Sequence, residues 1–408
     1  MKATPHILVI NGTKVRRPVF LLGSPHSGAE LLARAVKRSA GFHLTIGRPG
    51  VLRVTYAFAR RPSIAADRGR GAARVLRDAF AEAWQISERG CAECPAECWE
   101  AAGLPPRPES GETAGSGPCV DPRGVDRFAD ASPDLIYSAD VLLDAFPDAQ
   151  LVQVIRDGRD VVADMLEDER CMAWFRPGLT NLDEVFPNPF LGVEEVVERA
   201  RWPRAAAAVK CALRWRGSVR LSARLRAQTP EEQLLTVRFE DLVRRPGQIS
   251  DELSDFLGTQ ISKLAMTNLV REAMAGREPR RAEPHRDDRN GGHGADRYRA
   301  DRYQAHRNGT GASRNGSHRS GTRRFESRLA GLREPRLGDL LRPDLRRGDR
   351  RGDSRRGDRE PLPVPATGGW RERLTPRQLA QVERVAGTEL TRLGYRLSAG
   401  AAARTERP

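Results

Sequence analysis

The sequence predicts an α/β fold, a parallel sheet flanked by helices. Three observations predict it. Short apolar runs, "VFLL" at 19–22, "LVQVI" at 151–155 and "LLTVRF" at 234–239, have the length and character of strands buried on both faces. Each run gives way to glycine or charge and then to apolar residues at helical spacing. Strands that alternate with helices need crossover connections, and these place helices on both faces of the sheet.

Taken in order, "VFLL" opens into "GSPHSG", and "AELLARAVKRSA" continues as a helix. Residues 51–86 mix Ala, Arg and apolar positions in a mostly helical pattern. Residues 89–124 hold four cysteines among many Pro and Gly and read as loop. "LIYSADVLLDAF" reads as an amphipathic helix, and "PDAQLVQVI" as a turn into a buried strand. "VVADMLEDERCMAWF" carries the next helix, and residues 194–226 one long helix or two, interrupted near Pro203. In "RRPGQISDELSDFLG", Pro246 marks a helix start and Gly258 its stop.

From about Gly276 the text changes character. Segments such as "NGGHGADRYRADRYQAHRNGTGASRNGSHRSGTRR" and "RRGDRRGDSRRGD" hold few apolar residues. They cannot bury enough surface to offset backbone ordering entropy, so disorder is expected. Helical periodicity returns in "GGWRERLTPRQLAQVERVAGTELTRLGYRL", where Thr375 and Pro376 start a helix. Its apolar stripe is Leu379, Val382, Val385, Ala386, Leu390 and Leu393. The organisation expected is an α/β domain over 1–275, a disordered Arg/Gly/Asp-rich insertion over 276–365, a segment completing the domain over 366–397, and a disordered tail over 398–408.

Composition sets outer bounds. The 408 residues suffice for one large domain or two, and the formal net charge is +15. Only Lys2, Lys14, Lys37, Lys210 and Lys263 are lysines, an Arg bias with abundant Ala and Gly that fits the coding habit of a GC-rich genome. Residues 276–360 hold 24 arginines against 14 acidic residues and so most of the net charge. That tract could bind nucleic acid or anionic lipid, but a solvated linker is the favoured reading. No apolar run reaches about 18 residues, so no membrane span is expected. "MKATPHILVI" lacks the features of a signal peptide, and the expected location is cytoplasmic. There, six cysteines are free thiols or metal ligands rather than disulfides.

Two stretches point to anions. In "LLGSPHSGAELLA", a turn between strand and helix aims backbone N–H groups into one concavity, where the helix dipole adds positive potential. Gly23-x4-Gly28 matches the start of a nucleotide-triphosphate P-loop, but Ala29 and Glu30 follow where Lys and Ser/Thr are required, which argues against ATP or GTP hydrolysis. The alternative is an ordinary strand–turn–helix connection. In "LVQVIRDGRDVVADM", Arg156 ends a strand and Asp157 can cap the next helix. Arg156 and Arg159 then lie at the carboxyl edge of the sheet, where ligands bind in open α/β folds. The alternative there is a salt-bridged helix start, with Arg159 paired to a nearby Asp.

Together these pieces resemble the sulfotransferase family. The resemblance rests on Gly-x-Pro-x-Ser-Gly after the first strand, then "FPDA" and "VIRDGRDVV", then "LLTVRFEDL" with "FLG", and a tail "GWRERL" with "AGTELTRLGY". The pieces stand in family order over roughly 18–260 and 368–397. The resemblance implies a P-loop NTPase-like fold and the donor 3′-phosphoadenosine-5′-phosphosulfate. It also implies sulfuryl transfer to a hydroxyl or amine of a small-molecule or carbohydrate acceptor. It assigns Ser24, Pro25, His26, Ser27, Gly28, Ala29 and Glu30 to the loop around the 5′-phosphosulfate, and Arg156 to the 3′-phosphate. Asp164 stands at the 3′-phosphate serine, and Trp370 belongs to the C-terminal part of the donor site.

The chain departs from the family pattern at several of these positions. His26 replaces a basic residue, Ala29 and Glu30 replace two threonines, and Asp164 replaces the 3′-phosphate serine with a carboxylate that repels phosphate unless it turns away. Where many relatives carry a glutamate base, this chain has "HLTIGRPG", with Arg48 near that place; His43 is the nearest candidate base, with Asp130 and Asp134 as others, and a structural role is the favoured reading of each. These departures keep a second reading open, a sulfotransferase-like nucleotide-binding protein without turnover. Nucleic-acid binding through the arginine tract is a third and less favoured one.

Cys91-x2-Cys94-x3-Cys98, with Cys119 further on, has metal-like spacing, and four thiolates could close a structural zinc site. The alternative is a set of free thiols in a Pro-rich loop. Cys171 and Cys211 read as core. Trp174, Phe175 and "NLDEVFPNPF" could line an acceptor pocket, with packing the favoured role.

Overall fold

Period-two burial builds the sheet. In "VFLLG", Val19 and Leu21 join one apolar cluster and Phe20 and Leu22 another, so one strand serves two helical layers. The computed structural model describes residues 7–60, 70–87, 91, 94–104, 117–176, 179–275 and 367–398. A small hairpin, β1 (Val9–Ile10) and β2 (Thr13–Lys14), turns at Asn11-Gly12. The main sheet follows with β3 (Val19–Gly23), β4 (Gly41–Thr45), β5 (Val125–Asp130), β6 (Gln150–Ile155) and β7 (Leu234–Arg238). Its order is β4-β5-β3-β6-β7, and every pairing is parallel.

The helices are, in chain order, α1 (Ala29–Lys37), α2 (Pro49–Arg60), α3 (Arg70–Ala83), α4 (Ala96–Ala101), α5 (Ala139–Ala145), α6 (Gly158–Glu167) and α7 (Glu169–Ala173). After them come α8 (Val196–Arg201), α9 (Ala207–Gln228), α10 (Phe239–Arg244), α11 (Pro246–Leu257), α12 (Lys263–Ala275), α13 (Trp370–Arg373) and α14 (Pro376–Arg392). Leu32 of α1, Leu253 of α11 and Met266 of α12 cover one face of the sheet. Phe58 of α2, Phe80 of α3 and Leu142 of α5 cover the other. A third cluster joins Val161 of α6, Trp215 of α9 and Leu390 of α14. Gly158 makes that packing close: a Cβ there would lie 2.7 Å from the Trp215 ring.

The expected α/β architecture is present, and its caps are those foreseen. Asp157 caps α6 by accepting from Arg159 N, Gly258 ends α11 at φ 64°, and Thr375 forms a capping box with Gln378 ahead of Pro376. The stretch 89–124 is not all loop: α4 forms within it because Cys98, Trp99 and Ala101 find a common buried face. The helix expected after Arg156 breaks into α6 and α7 at Asp168, whose carboxylate caps the second piece. The insertion expected over 276–365 lies outside the described residues, as does the tail beyond Ser398. No described helix is long and apolar enough to cross a membrane.

Candidate functional site: the loop after β3 and the arginine after β6

Strand register places the two expected anion sites side by side. β3 lies next to β6, with Gly23 opposite Val154, so Arg156 emerges two residues beyond the point where the 24–28 loop begins. This is the carboxyl edge of the sheet, at the strand where its order reverses direction. Ser27 N bonds Ser24 O at 3.0 Å to close the loop, and His26 takes φ 60° at its crest. Gly28 caps α1 at φ 94°, and a Cβ there would lie 2.2 Å from the Phe239 ring. Leu31 and Leu32 both bond Gly28 O, which leaves the first amides of α1 directed into the loop's concavity. Ser27 is buried with no described partner for its Oγ, whereas Glu30 is exposed and its carboxylate can stay in water.

Arg156 lies directly under this loop. Its Nη1 donates to His26 O at 2.8 Å, and its guanidinium sits 5.1 Å from the centre of the Phe239 ring. It is 1% exposed because an internal anion meets it: Asp164 Oδ2, one helical turn-pair along α6, lies 2.6 Å from Nη1. Arg373 of α13 grips the other oxygen of Asp164 and also pairs with Glu167 at 2.9 Å. Burial pushes the Asp164 pKa up, but Arg156 and Arg373 outweigh it and hold the carboxyl below its ordinary range. A carboxylate between two guanidiniums thus stands where the resemblance puts the serine that contacts the donor's 3′-phosphate.

His26 has its own partner. Its Nε2 lies 3.0 Å from Asp168 Oδ2 and 3.7 Å from Cys171 Sγ. Although burial opposes it, the hydrogen bond from His26 holds the Asp168 carboxyl well below its usual range. Burial drives the Cys171 thiol far up, so it stays protonated. These three ligand-type atoms lie within 4.8 Å of one another. Pro25 completes the half-buried crest.

Arg159 is committed to structure, as the salt-bridge alternative anticipated. It pairs with Asp157 at 2.7 Å and Glu383 at 3.0 Å, and donates to Arg396 O. The guanidiniums of Arg159 and Arg371 lie 4.2 and 4.5 Å from the centre of the Trp370 ring. The backbone N–H of Trp370, with that of Gly368, is held by Asp160. A cavity of about 590 Å³ opens beside them, lined by Arg159, Arg238, Arg244, Arg371 and Arg396 against Asp157, Asp160, Glu240 and Asp241.

The other expected residues fall elsewhere. His43 is 1% exposed, edge-on to Phe128, with neither ring nitrogen hydrogen-bonded to a described residue. Burial lowers its pKa to about 4. The candidate base is thus a neutral, buried ring, the placement that a structural role implies. Asp130 is wholly buried, accepts from Thr45 Oγ1 at 2.6 Å and Ser132 N at 2.7 Å, and burial raises its pKa to about 7. Asp134 makes a two-oxygen pair with Arg214 at 2.8 Å. Trp174 and Phe175 are buried; Trp174 packs between Tyr56 and Phe190, so these aromatics are core rather than pocket wall. Cys91, Cys94, Cys98 and Cys119 come together at the β4 edge, and all six cysteines are free of disulfides.

Sequence reasoning missed Arg373 and Asp168. Arg373 acts across 209 positions from Asp164, a separation that no local pattern reveals. Asp168 carried one local clue, a capping residue in mid-helix text ahead of Glu169.

A model of the sulfotransferase family (Sulfotransfer_3) matches residues 18–263. The chain belongs to the sulfotransferase family, whose shared chemistry is sulfotransfer. Solved structures similar to it include the sulfotransferase domain of the Synechococcus PCC 7002 olefin synthase, at 16% identity and TM-score 0.33, covering 63% of this chain and 78% of that one. The sulfotransferase of Alicyclobacillus acidocaldarius is 17% identical at TM-score 0.32, covering 61% and 83%. Mouse SULT7A1, solved in complex with PAP, is 11% identical at TM-score 0.34, covering 100% and 95%. No curated protein matches the chain.

Proposed function

We propose that this protein transfers a sulfuryl group from 3′-phosphoadenosine-5′-phosphosulfate to a hydroxyl or amine of a small-molecule or carbohydrate acceptor. One observation carries the reading: the Arg156 guanidinium bonds His26 O, so a strand-end arginine and a phosphate-type loop form one unit. A donor with phosphates at both the 5′ and 3′ positions fits two anion sites so close together. In the proposed step the acceptor oxygen or nitrogen bonds to sulfur, the bond from sulfur to the 5′-phosphate oxygen breaks, and the bisphosphate nucleotide leaves. The acceptor's proton passes to solvent. The α1 amides and His26 would hold the transferring group, and positioning and charge neutralisation would supply most of the rate. Binding the 3′-phosphate requires Asp164 to yield Arg156 and Arg373.

His26, Ala29 and Glu30 in place of the family's basic residue and threonines favour a second reading, a nucleotide-binding member of the family without turnover. Calorimetry with 3′,5′-bisphosphoadenosine tests what both share: binding is expected, Arg156→Ala should abolish it, and no binding by the folded wild type would refute both. Transfer of labelled sulfate to a panel of hydroxyl acceptors separates them, since the second reading allows binding with no transfer.

A further inference from the structure

We propose that Cys91, Cys94, Cys98 and Cys119 form a structural tetrathiolate site for one Zn²⁺ ion, which fastens the chain following α3 over the open edge of the sheet. The site shares no residue with the loop and arginine described above.

The sulfurs converge. Cys119 Sγ lies 3.9 Å from Cys91 Sγ and within interaction range of Cys94 and Cys98. Cys94 in turn meets Cys91 and Cys98. Zinc–sulfur bonds of about 2.3 Å put tetrahedral sulfurs about 3.8 Å apart. A disulfide needs sulfurs about 2 Å apart, so the close pair is not an oxidised one. A polynuclear iron–sulfur cluster would hold its cysteines farther apart, because bridging sulfides intervene.

The surrounding charge fits thiolates. Lys37 Nζ lies 3.4 Å from Cys98 Sγ and 3.8 Å from Cys119 Sγ, with Leu44 O its other partner. No described carboxylate pairs with it. Arg48, 5% exposed, donates to Cys94 Sγ at 3.3 Å. Neutral thiols are weak acceptors, whereas thiolates suit contact with an ammonium and a guanidinium. Four thiolates around Zn²⁺ carry a net charge of −2, which Lys37 and Arg48 cancel. N–H···S contacts from such cations are the outer support that metal-bound ligands ordinarily have. Metal uptake would release the thiol protons to solvent.

The location gives the ion a task. β4 is an edge strand, with backbone groups open on one side. Cys98 Sγ sits 4.0 Å from Leu44 O on that strand, and Arg38 of α1 bonds Ala101 O and Glu100 O of α4. The four cysteines sit in a sequence of many Pro and Gly, and a metal joining residues 91 to 119 supplies a constraint across it.

The test is elemental analysis of the full-length chain, purified without metal-affinity steps, followed by cobalt exchange. About one zinc per chain is expected, with thiolate-to-cobalt charge-transfer bands and intense tetrahedral ligand-field bands after exchange. Cys94→Ser and Cys119→Ser should lose the metal, while Cys171→Ser should keep it. Should the serine variants fail to fold, Lys37→Gln and Arg48→Gln retain every ligand and should each weaken zinc at least 10-fold in chelator competition. The proposal is overturned if the folded wild type is metal-free with no thiolate–cobalt bands, if the metal is iron, or if it is lost in Cys171→Ser and kept in Cys94→Ser.

Discussion

Replacing Asp164 by serine is the most direct probe of the donor site. Asp164 holds a full negative charge against Arg156 at 2.6 Å, with a second guanidinium, Arg373, on its other oxygen. A phosphate bound to Arg156 would lie within a few ångströms of that carboxylate. Two unit charges about 4 Å apart interact by about 4 kcal/mol at the effective dielectric of a partly buried site. If rotation of Asp164 relieves half of this, Asp164→Ser still gains about 2 kcal/mol, or about 30-fold in affinity for 3′,5′-bisphosphoadenosine. The empty variant should be less stable, because leaving a buried arginine short of its anion costs about 3–5 kcal/mol. Ligand should restore that loss, so the rise in Tm on adding the bisphosphate should be larger in the variant than in the wild type. Calorimetric titration and a melting series, both at low and physiological salt, read the two effects. A folded Asp164→Ser protein that binds the bisphosphate no better than wild type would refute the reasoning.

Other substitutions test other parts. His26→Lys keeps Asp168 as partner and puts a permanent cation at the loop crest; transfer from labelled donor should rise, with donor affinity tighter by about 10-fold. Gly28→Ala should lower stability by about 2–4 kcal/mol in denaturant titration, since it combines a left-handed backbone with a methyl group driven into Phe239. Gly158→Ala should cost about 1–3 kcal/mol and weaken bisphosphate binding, by pushing Trp215 away from the start of the arginine helix. Asp130 has a folded pKa of about 7 against about 3.9 unfolded, so folding favours its protonated form and its contribution is lost as pH rises from 4 through 7. That is worth about 4 kcal/mol, and Asp130→Asn should raise Tm at pH 8 while leaving it nearly unchanged at pH 4.

The parts legible in the sequence are those whose cause is local. Buried strands showed as unbroken apolar runs, and helix limits as Asp157, Pro246, Gly258, Thr375 and Pro376. β4 and β5 went unread because "GFHLT" and "VDRFAD" mix polar residues into positions that only the assembled sheet buries, as at His43 and Asp130. The adjacency of the loop and Arg156 was legible through the family resemblance. The guanidinium's partners were less so. Whether Asp164 faced the phosphate seat or turned away depended on Arg373, which arrives from the far end of the chain. For His43 the sequence left a base and a structural role open and favoured the second, and its burial against Phe128 agrees with that.

The segment 367–398 carries a temporal consequence. It supplies Arg373 to Asp164, the Gly368 and Trp370 amides to Asp160, and Glu383 to Arg159. A nascent chain that has reached residue 275 owns all five strands of the main sheet yet still leaves the carboxylates of α6 without these counterparts. The charge pairing around α6 is therefore completed only after all five strands of the main sheet have been made, and a chain halted within the arginine tract would hold that sheet without these pairings.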